Sequence, residues 1–285
     1  MNDFFKNYPC IILGCNVLAS AVAINLKKSG FPVIMVARES EIVLRRKLSF
    51  RDTLLAGRKT INNVTGIAVS EDIYHCAKPE DSLYHQKLLD QVDLLQKHSA
   101  FPVLSLIEFT LYKQYRYPDI FIHTMTNVKE EPDLDMGKLV ISLHPEAVPG
   151  VNCHLFVESS LSGDFGEFYW KSKPELKSAG KVCQDKIHQL QAEHEGVFIT
   201  ERGIGEIIEQ RSRIGKIDIH EVRSPVAGKI IGLRHSGEII GQADPIAEID
   251  TNTKSINDSM FSFQDRYLSM AVLQAILFSI RNNKI

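Results

Sequence analysis

The sequence lacks paired cysteines. Cys10, Cys15, Cys76, Cys153 and Cys183 are five in number, widely scattered, and form no C-x-x-C pair. That excludes a zinc knuckle or a thioredoxin-like redox motif and suits a reducing compartment. It also lacks an excess of charge: 33 basic against 35 acidic side chains leave a net charge of −2. Nothing in that balance favours a nucleic acid or an anionic membrane as partner. Long apolar runs are missing as well. The opening MNDFFKNYPCIILG has no basic region followed by a long apolar core, so no secretory signal is read there. The stretch MAVLQAILFSI (270–280) is too short to span a bilayer. The expectation is a soluble, cytoplasmic protein that does not enter a membrane. A chain of 285 residues, 44% hydrophobic and 24% charged, has room for two domains.

The N-terminal half alternates strand and helix patterns. PCIILG (9–14) reads as a buried parallel strand, Val17 to about Ser29 as a helix with Leu18, Val22 and Leu26 on one face, and FPVIMVA (31–37) as a second strand. Gly30 suits the helix C-terminus. This is the βαβ unit of a Rossmann-like fold. The turn between strand and helix decides its chemistry, because glycines at G-x-G-x-x-G let backbone amides approach a pyrophosphate. Here the stretch is Gly14-Cys15-Asn16-Val17-Leu18-Ala19, and only the first glycine stands. Asn16 tolerates a left-handed turn and Ala19 is small. Gly14 and Asn16 are therefore candidate nucleotide contacts, with Glu39 as a candidate ribose acid; the alternative is that they only turn the chain.

Further strands are expected at INNVTGIAVS (61–70), FPVLSLI (101–107), PDIFIHTM (118–125), KLVISLH (138–144) and CHLFVES (153–159), with an amphipathic helix over 81–99. An α/β sheet follows, its last strands running side by side. Arg45, Arg46, Lys47 and Arg51 form a basic cluster in LRRKLSFRDTLLAG (44–57), either an anion site or a solvated segment. His154 and Glu158 stand at i and i+4 on one strand face, as a metal pair, an acid–base pair or a buried hydrogen-bonded pair.

From residue 171 the texture turns polar, a connector over 171–195 with a helix from about Lys181 to Glu193. Then a repeat begins. GEIIEQ (205–210) returns as GEIIGQ (237–242), 32 residues on (237 − 205). Gly196 and Gly228, Ile214 and Ile246, and Ile217 and Ile249 keep the same offset. GVFITERGIGEIIEQRSRIGKI (196–217) and GKIIGLRHSGEIIGQADPIAEI (228–249) are thus two copies of one unit of short strands. Together with VRSPVAGKI (222–230) they resemble the barrel-sandwich hybrid fold of biotinyl and lipoyl carriers. Lys216 falls near the carrier lysine's place, but RIGKIDIH lacks its Met or Ala flanks. No covalent biotin or lipoate is expected. Leu268, Val272, Ile276 and Ile280 predict a C-terminal helix within 253–285. The expected layout is an α/β domain over 1–170, the connector, the β domain over 196–252 and the helix.

The order of these pieces resembles the YqeB-like family, proteins associated with maturation of selenium-dependent molybdenum hydroxylases. The likeness runs from about Ile11 to Leu277. It rests on Gly14 to Ala21 for the family's glycine-rich turn and on Leu44-Arg45-Arg46-Lys47-Leu48-Ser49-Phe50 for its VRRTVSF-like block. It also rests on His144 to Gly166, which keeps Pro145, Gly150, His154, Glu158, Gly163 and Gly166. The glycine turn is reduced, HPEA (144–147) replaces a GPGF-like turn, and TMTNVK (124–129) replaces a basic stretch. The resemblance implies an accessory or maturation role in a molybdenum hydroxylase system, with a hydroxylase or its maturation factors as partner. It implies no known reaction, and it raises Arg45, Arg46 and Ser49 as functional candidates beside His154 and Glu158. No metal site is expected; a nucleotide is the cofactor the turn would suit, and an oligomer is compatible with the sequence. The rival is an NAD(P)- or nucleotide-dependent enzyme using Gly14, Asn16 and Arg45.

Overall fold

Cys10–Leu13 (β1) is an inner strand of a nine-stranded sheet in the computed structural model. The structure describes residues 3–38, 41–69, 82–97, 100–125, 131–161, 164–172, 187–252 and 258–285. The chain divides into two compact units: Met1–Glu41, Phe50–Val182 and Phe261–Ile285 form the first, and Ile42–Ser49 with Cys183–Met260 form the second.

The first unit is an α/β sheet. Its other strands are β2 (Val33–Ala37), β3 (Arg58–Ile61), β4 (Val64–Ala68), β5 (Ala100–Ser105), β6 (Ile120–His123), β7 (Leu139–Ser142), β8 (Leu155–Val157) and β9 (Phe168–Tyr169). Their order is β3-β4-β5-β2-β1-β6-β7-β8-β9, with β6 to β9 side by side as expected. All neighbours run parallel except the two edge pairs, β3 on β4 and β8 on β9. CIIL, VIMVA, IFIH and LVIS are buried at every position, because helices cover both faces of a parallel sheet. Helix α1 (Val17–Lys28) ends in paired bonds, Gly30 N–H to Lys27 and Phe31 N–H to Leu26, the Schellman arrangement. After the short α2 (Thr53–Ala56), α3 (Ser82–Lys97) and α4 (Leu106–Tyr115) pack on Ile11, Leu13, Ile34, Val36, Phe121 and Val140. By period-two alternation Ile12, Met35 and Ile122 face the other way, toward α1. The last helix, α5 (Phe263–Arg281), returns to pack on α1, and Asn25 Nδ2 donates to the Ser269 carbonyl at 3.0 Å.

Three local expectations change. The run 61–70 is half of a hairpin: Asn62 (φ 49°) and Asn63 (φ 66°) turn β3 into β4, the pair of positive φ values a two-residue hairpin needs. FPVLSLI stops being strand at Ser105, which caps α4 in a capping box with Glu108. In the expected connector helix, 181–186 lies outside the described residues and Ile187–Gln191 is instead a strand, β10, bonded to the strand Pro245–Asp250. Pairing on a sheet edge there outweighs the helix propensity of its glutamines.

The second unit holds β10, β11 (Gly196–Ile199), β12 (Ile207–Ile208), β13 (Arg213–Ile217), β14 (His220–Arg223), β15 (Gly228–Leu233), β16 (Ile239–Ile240) and β17 (Pro245–Asp250). They form two four-stranded antiparallel sheets, β10-β17-β15-β12 and β14-β13-β11-β16. The repeat is visible in the pairing. β12 of the first copy bonds to β15 of the second, and β16 of the second bonds to β11 of the first. The halves are thus interleaved. Gly205 (φ 106°) and Gly237 (φ 93°) both turn through a conformation that suits glycine. Arg202 pairs with Glu206 and Arg234 with Glu238 in the same way. Phe198, Ile208, Ile217, Ile230, Ile240 and Ile249 lie in the shared core. Among the described residues no helix of either unit is long and apolar enough to cross a membrane.

Candidate functional site

In an open parallel sheet, ligands bind beyond the carboxyl ends of the strands, where the strand order reverses. Here the chain runs from β1 to β2 on one side, while β6 lies on the other. The turn Gly14-Cys15-Asn16 leaves β1 at that point. Gly14 holds φ +112°, and a Cβ there would lie 2.8 Å from Thr124 Oγ1 and 3.1 Å from Met125 Cγ. Only glycine serves. Asn16 is not left-handed: it sits extended at φ −64°, ψ −176°, and its Oδ1 accepts from the Ala19 amide at 2.8 Å as the N-cap of α1.

The amides that would cradle a phosphate already hold an anion. Glu41 Oε2 accepts from the Cys15 amide at 2.8 Å, and Oε1 accepts from the Asn16 amide at 3.0 Å. A carboxylate gripped by two N–H groups at a helix N-terminus takes the place and the charge of a phosphate there. Burial pushes the Glu41 carboxyl above its ordinary range, opposed by the two amides and by the nearby Arg51 guanidinium. Burial first, then the Glu41 charge, raises the Cys15 thiol well above its usual value, with Arg51 opposing. Cys15 is fully buried, and a thiol raised in this way is a poor nucleophile. Glu39, the candidate ribose acid, lies outside the described residues.

Beyond β6, β7 and β8 the same sheet edge carries buried polar side chains. His123, Ser142, His144 and Glu158 are each at most 4% exposed. His123 and Ser142 are register partners, and His144 and Glu158 follow two residues beyond paired positions, so all four face one side of the sheet. The His123 and His144 rings meet edge to face at 5.5 Å. His144 Nδ1 accepts from the Glu146 amide at 3.1 Å, and Glu158 Oε1 accepts from the Ser160 amide at 2.8 Å. Among the described residues no group of three or more His, Cys, Asp or Glu is placed to hold a metal ion.

His154 and Glu158 are not brought together. They flank the three-residue β8 at opposite ends, about 13 Å of extended chain apart. His154 Nδ1 accepts from the Val140 amide at 3.0 Å. Burial pushes its pKa down, and the accepted bond fastens the start of β8 to β7. Glu158 instead joins the edge with His123 and His144.

Arg45 and Arg46 stand in the second unit, at the start of a short 3-10 helix (Arg46–Leu48), with their side chains bonded to the β strands. Arg45 Nε meets Glu248 Oε2 at 2.5 Å. Arg46 Nε donates to the Leu233 carbonyl at 2.7 Å, and its Nη1 lies 2.9 Å from His235 Nδ1. Lys47 bonds Asp258, which Lys229 also holds at 2.8 Å. These two lysines keep the Asp258 carboxyl down to about 2. Arg45, Arg46 and Lys47 are thus engaged by internal acids, a histidine and a carbonyl. Ser49 is 1% exposed and closes the segment. Lys216 lines a separate cleft of the second unit with Arg202, Arg213 and Glu201.

Glu41, His123 and His144 were not singled out by the sequence. A carboxylate four residues past β2 has no spacing signature, and lone histidines at strand ends carry none. The local cue was only position, at the carboxyl ends of strands that flank β1.

No protein-family model matches the chain, and no curated protein does. Among solved structures, the crystal structure of a protein assigned to the succinylglutamate desuccinylase / aspartoacylase family, from Shewanella amazonensis SB2B, is similar over 86% of this chain and 91% of that one. The identity is 11% and the TM-score 0.27, and no function is drawn from a likeness at that level.

Proposed function

We propose that this chain is an accessory protein of a molybdenum hydroxylase system, without turnover of its own, built from a Rossmann-like domain and a barrel-sandwich hybrid domain. Strand order around β1 supports the first fold name, and the interleaved repeat of short strands supports the second. The choice of a molybdenum enzyme as partner comes from the motif layout, above all LRRKLSF at 44–50. The absence of turnover is carried by one observation: the two turn amides that would receive a pyrophosphate already bond the Glu41 carboxylate. The cytoplasm is the compartment this role and the scattered cysteines suit.

The experiment is co-purification from the native host with a molybdenum hydroxylase or a factor that handles its cofactor, paired with deletion of this chain. Loss of hydroxylase activity on deletion, together with the complex, is expected. Normal activity and no complex would sink the reading. The second reading, a nucleotide-dependent enzyme, is favoured by the tight turn at Gly14 and the buried His123, His144 and Glu158 at the same ends of the strands. It requires Glu41 to leave the amides when a nucleotide arrives.

A further inference from the structure

The last helix, α5, is apolar on both of its faces. One face buries Leu268, Ala271, Val272, Ala275 and Ile276 in the first unit, where the helix packs on α1. A helix whose other face met only water would carry polar side chains there. Instead, eight residues of α5 are exposed, and five of them are Phe263, Tyr267, Met270, Leu277 and Phe278. The other three are Arg266, Gln274 and Arg281. Phe263, Met270 and Leu277 recur every seven residues, which keeps them on one stripe of the helix.

The edge of the sheet widens this stripe. β9 is the outermost strand, and aromatic side chains in and beside it lean on the helix. Phe165 stacks on Tyr267 at 5.7 Å, Phe168 meets Phe278 at 5.4 Å and Trp170 meets Phe278 at 6.3 Å. Phe263 stacks on Tyr267 in turn at 5.8 Å. Residues 165–170 thus run beside the helix from Tyr267 toward Phe278, and the aromatic surface is continuous. Phe, Tyr, Trp and Met are the residues that protein–protein interfaces collect. Charge is sorted by ends. Asp164 and Glu167 are exposed around Phe165, and Asp265 lies in the first turn of α5, with Arg266 offsetting one of them. At the far end Lys171, Arg281 and Lys284 are exposed, and Lys284 Nζ lies over the Trp170 ring at 5.1 Å.

We infer that this surface pairs with the same surface of a second copy of the chain, the two α5 helices running antiparallel about a two-fold axis. A two-fold at mid-helix sets Tyr267 against Leu277 of the second copy and Phe263 against its Arg281, a cation over an aromatic face. The acidic end of each copy then meets the basic end of the other. A parallel pairing would set like ends together. Phe263 is 77% exposed, Met270 59% and the other three 40–41%. An aromatic side chain hides roughly 150–250 Å² when covered. The five therefore bring about 500 Å² of apolar surface per copy, and about 1,000 Å² in the pair before the charged rim is added, the size at which an interface becomes specific. The proposal goes beyond the accessory reading and does not rest on it.

The test is sedimentation velocity of the full chain over about 1–300 μM, the range in which an interface of this size forms and comes apart. A reversible rise from one copy to two is expected, and it stops at two because a two-fold pairing closes on itself. Trp170, the chain's only tryptophan, borders the face, and its emission should follow the same transition. Met270→Glu sets an unpaired charge at the centre of the face and should weaken the dimer about tenfold or more. Arg281→Glu and Glu167→Arg should each weaken it about two- to fivefold, and the double variant should regain most of the loss. All three side chains are exposed, and circular dichroism reports that each variant is folded. The proposal is overturned by a single copy at every concentration, by growth beyond two copies, by a dimer that Met270→Glu leaves intact, or by a double charge variant no tighter than the single ones.

Discussion

Replacing Glu41 by Gln should loosen the turn after β1 in a way that can be read at two amides. The carboxylate accepts from Cys15 at 2.8 Å and from Asn16 at 3.0 Å. A hydrogen bond to a charged group is worth about 1.5–3 kcal/mol. Gln keeps one acceptor oxygen but turns an NH2 toward the second amide, so one bond is lost and one weakened. Against this, Gln avoids burying a charge, a cost visible in the raised Glu41 pKa. The net loss is about 1–2 kcal/mol, or a fall in Tm of about 2–6 °C. The pH dependence has a definite sign. Because the folded chain holds this proton more tightly than the ordinary value of 4.5, the unfolded state binds fewer protons across that window. Wild-type stability from this group therefore falls as pH rises through it. The advantage of wild type over Glu41→Gln should be larger below 4.5 than at neutral pH. Urea denaturation at both conditions gives the difference, and hydrogen exchange at Cys15 and Asn16 should speed up about tenfold or more. Unchanged exchange at both amides, or equal stability at both pH values, would refute the reasoning.

Other perturbations test other joints. Gly14→Ala forces a side chain into φ +112° and against Thr124; a loss of about 2–4 kcal/mol is expected by urea denaturation. Asp258 is held down to about 2 by Lys229 and Lys47, so its contribution is full above the ordinary value of 3.8 and lost as pH falls toward 2. Asp258→Asn should flatten that part of an acid-unfolding curve followed by circular dichroism. Arg45→Glu and Glu248→Arg should each cost about 1 kcal/mol, and the double variant should recover at least half of the summed loss, as a double-mutant cycle in urea would reveal.

The strands around β1 were legible because burial on both faces makes their sequences almost wholly apolar, and the repeat was legible because its offset is constant. The hairpin at Asn62-Asn63 was hidden inside a longer apolar run, although paired asparagines able to take positive φ were its signal. Ser105 and Glu108 wrote a capping box that the apolar FPVLSLI masked. β10 had no periodic signature, since its exposed edge position asks little of its side chains. At the site, Gly14 was readable from its turn, whereas Asn16, read as a left-handed turn residue, is an extended N-cap of α1. What filled the turn was not readable: the Glu41 contact spans 26 residues and depends on how the chain returns from β2. Arg45 and Arg46 stood out by charge, yet charge alone does not say whether the partner is a ligand or an internal carboxylate such as Glu248.

The central claim is that the Glu41 carboxylate occupies the turn amides a nucleotide would need. Thermal-shift and calorimetric titration of the wild-type chain with NAD, NADP, ATP and CTP tests it most directly. The account predicts no stabilisation at millimolar ligand. A ligand bound tighter than about 100 μM would stabilise the fold by about 1.4 kcal/mol or more at that concentration, and such a shift, abolished by changing Gly14 but not Lys216, would contradict it.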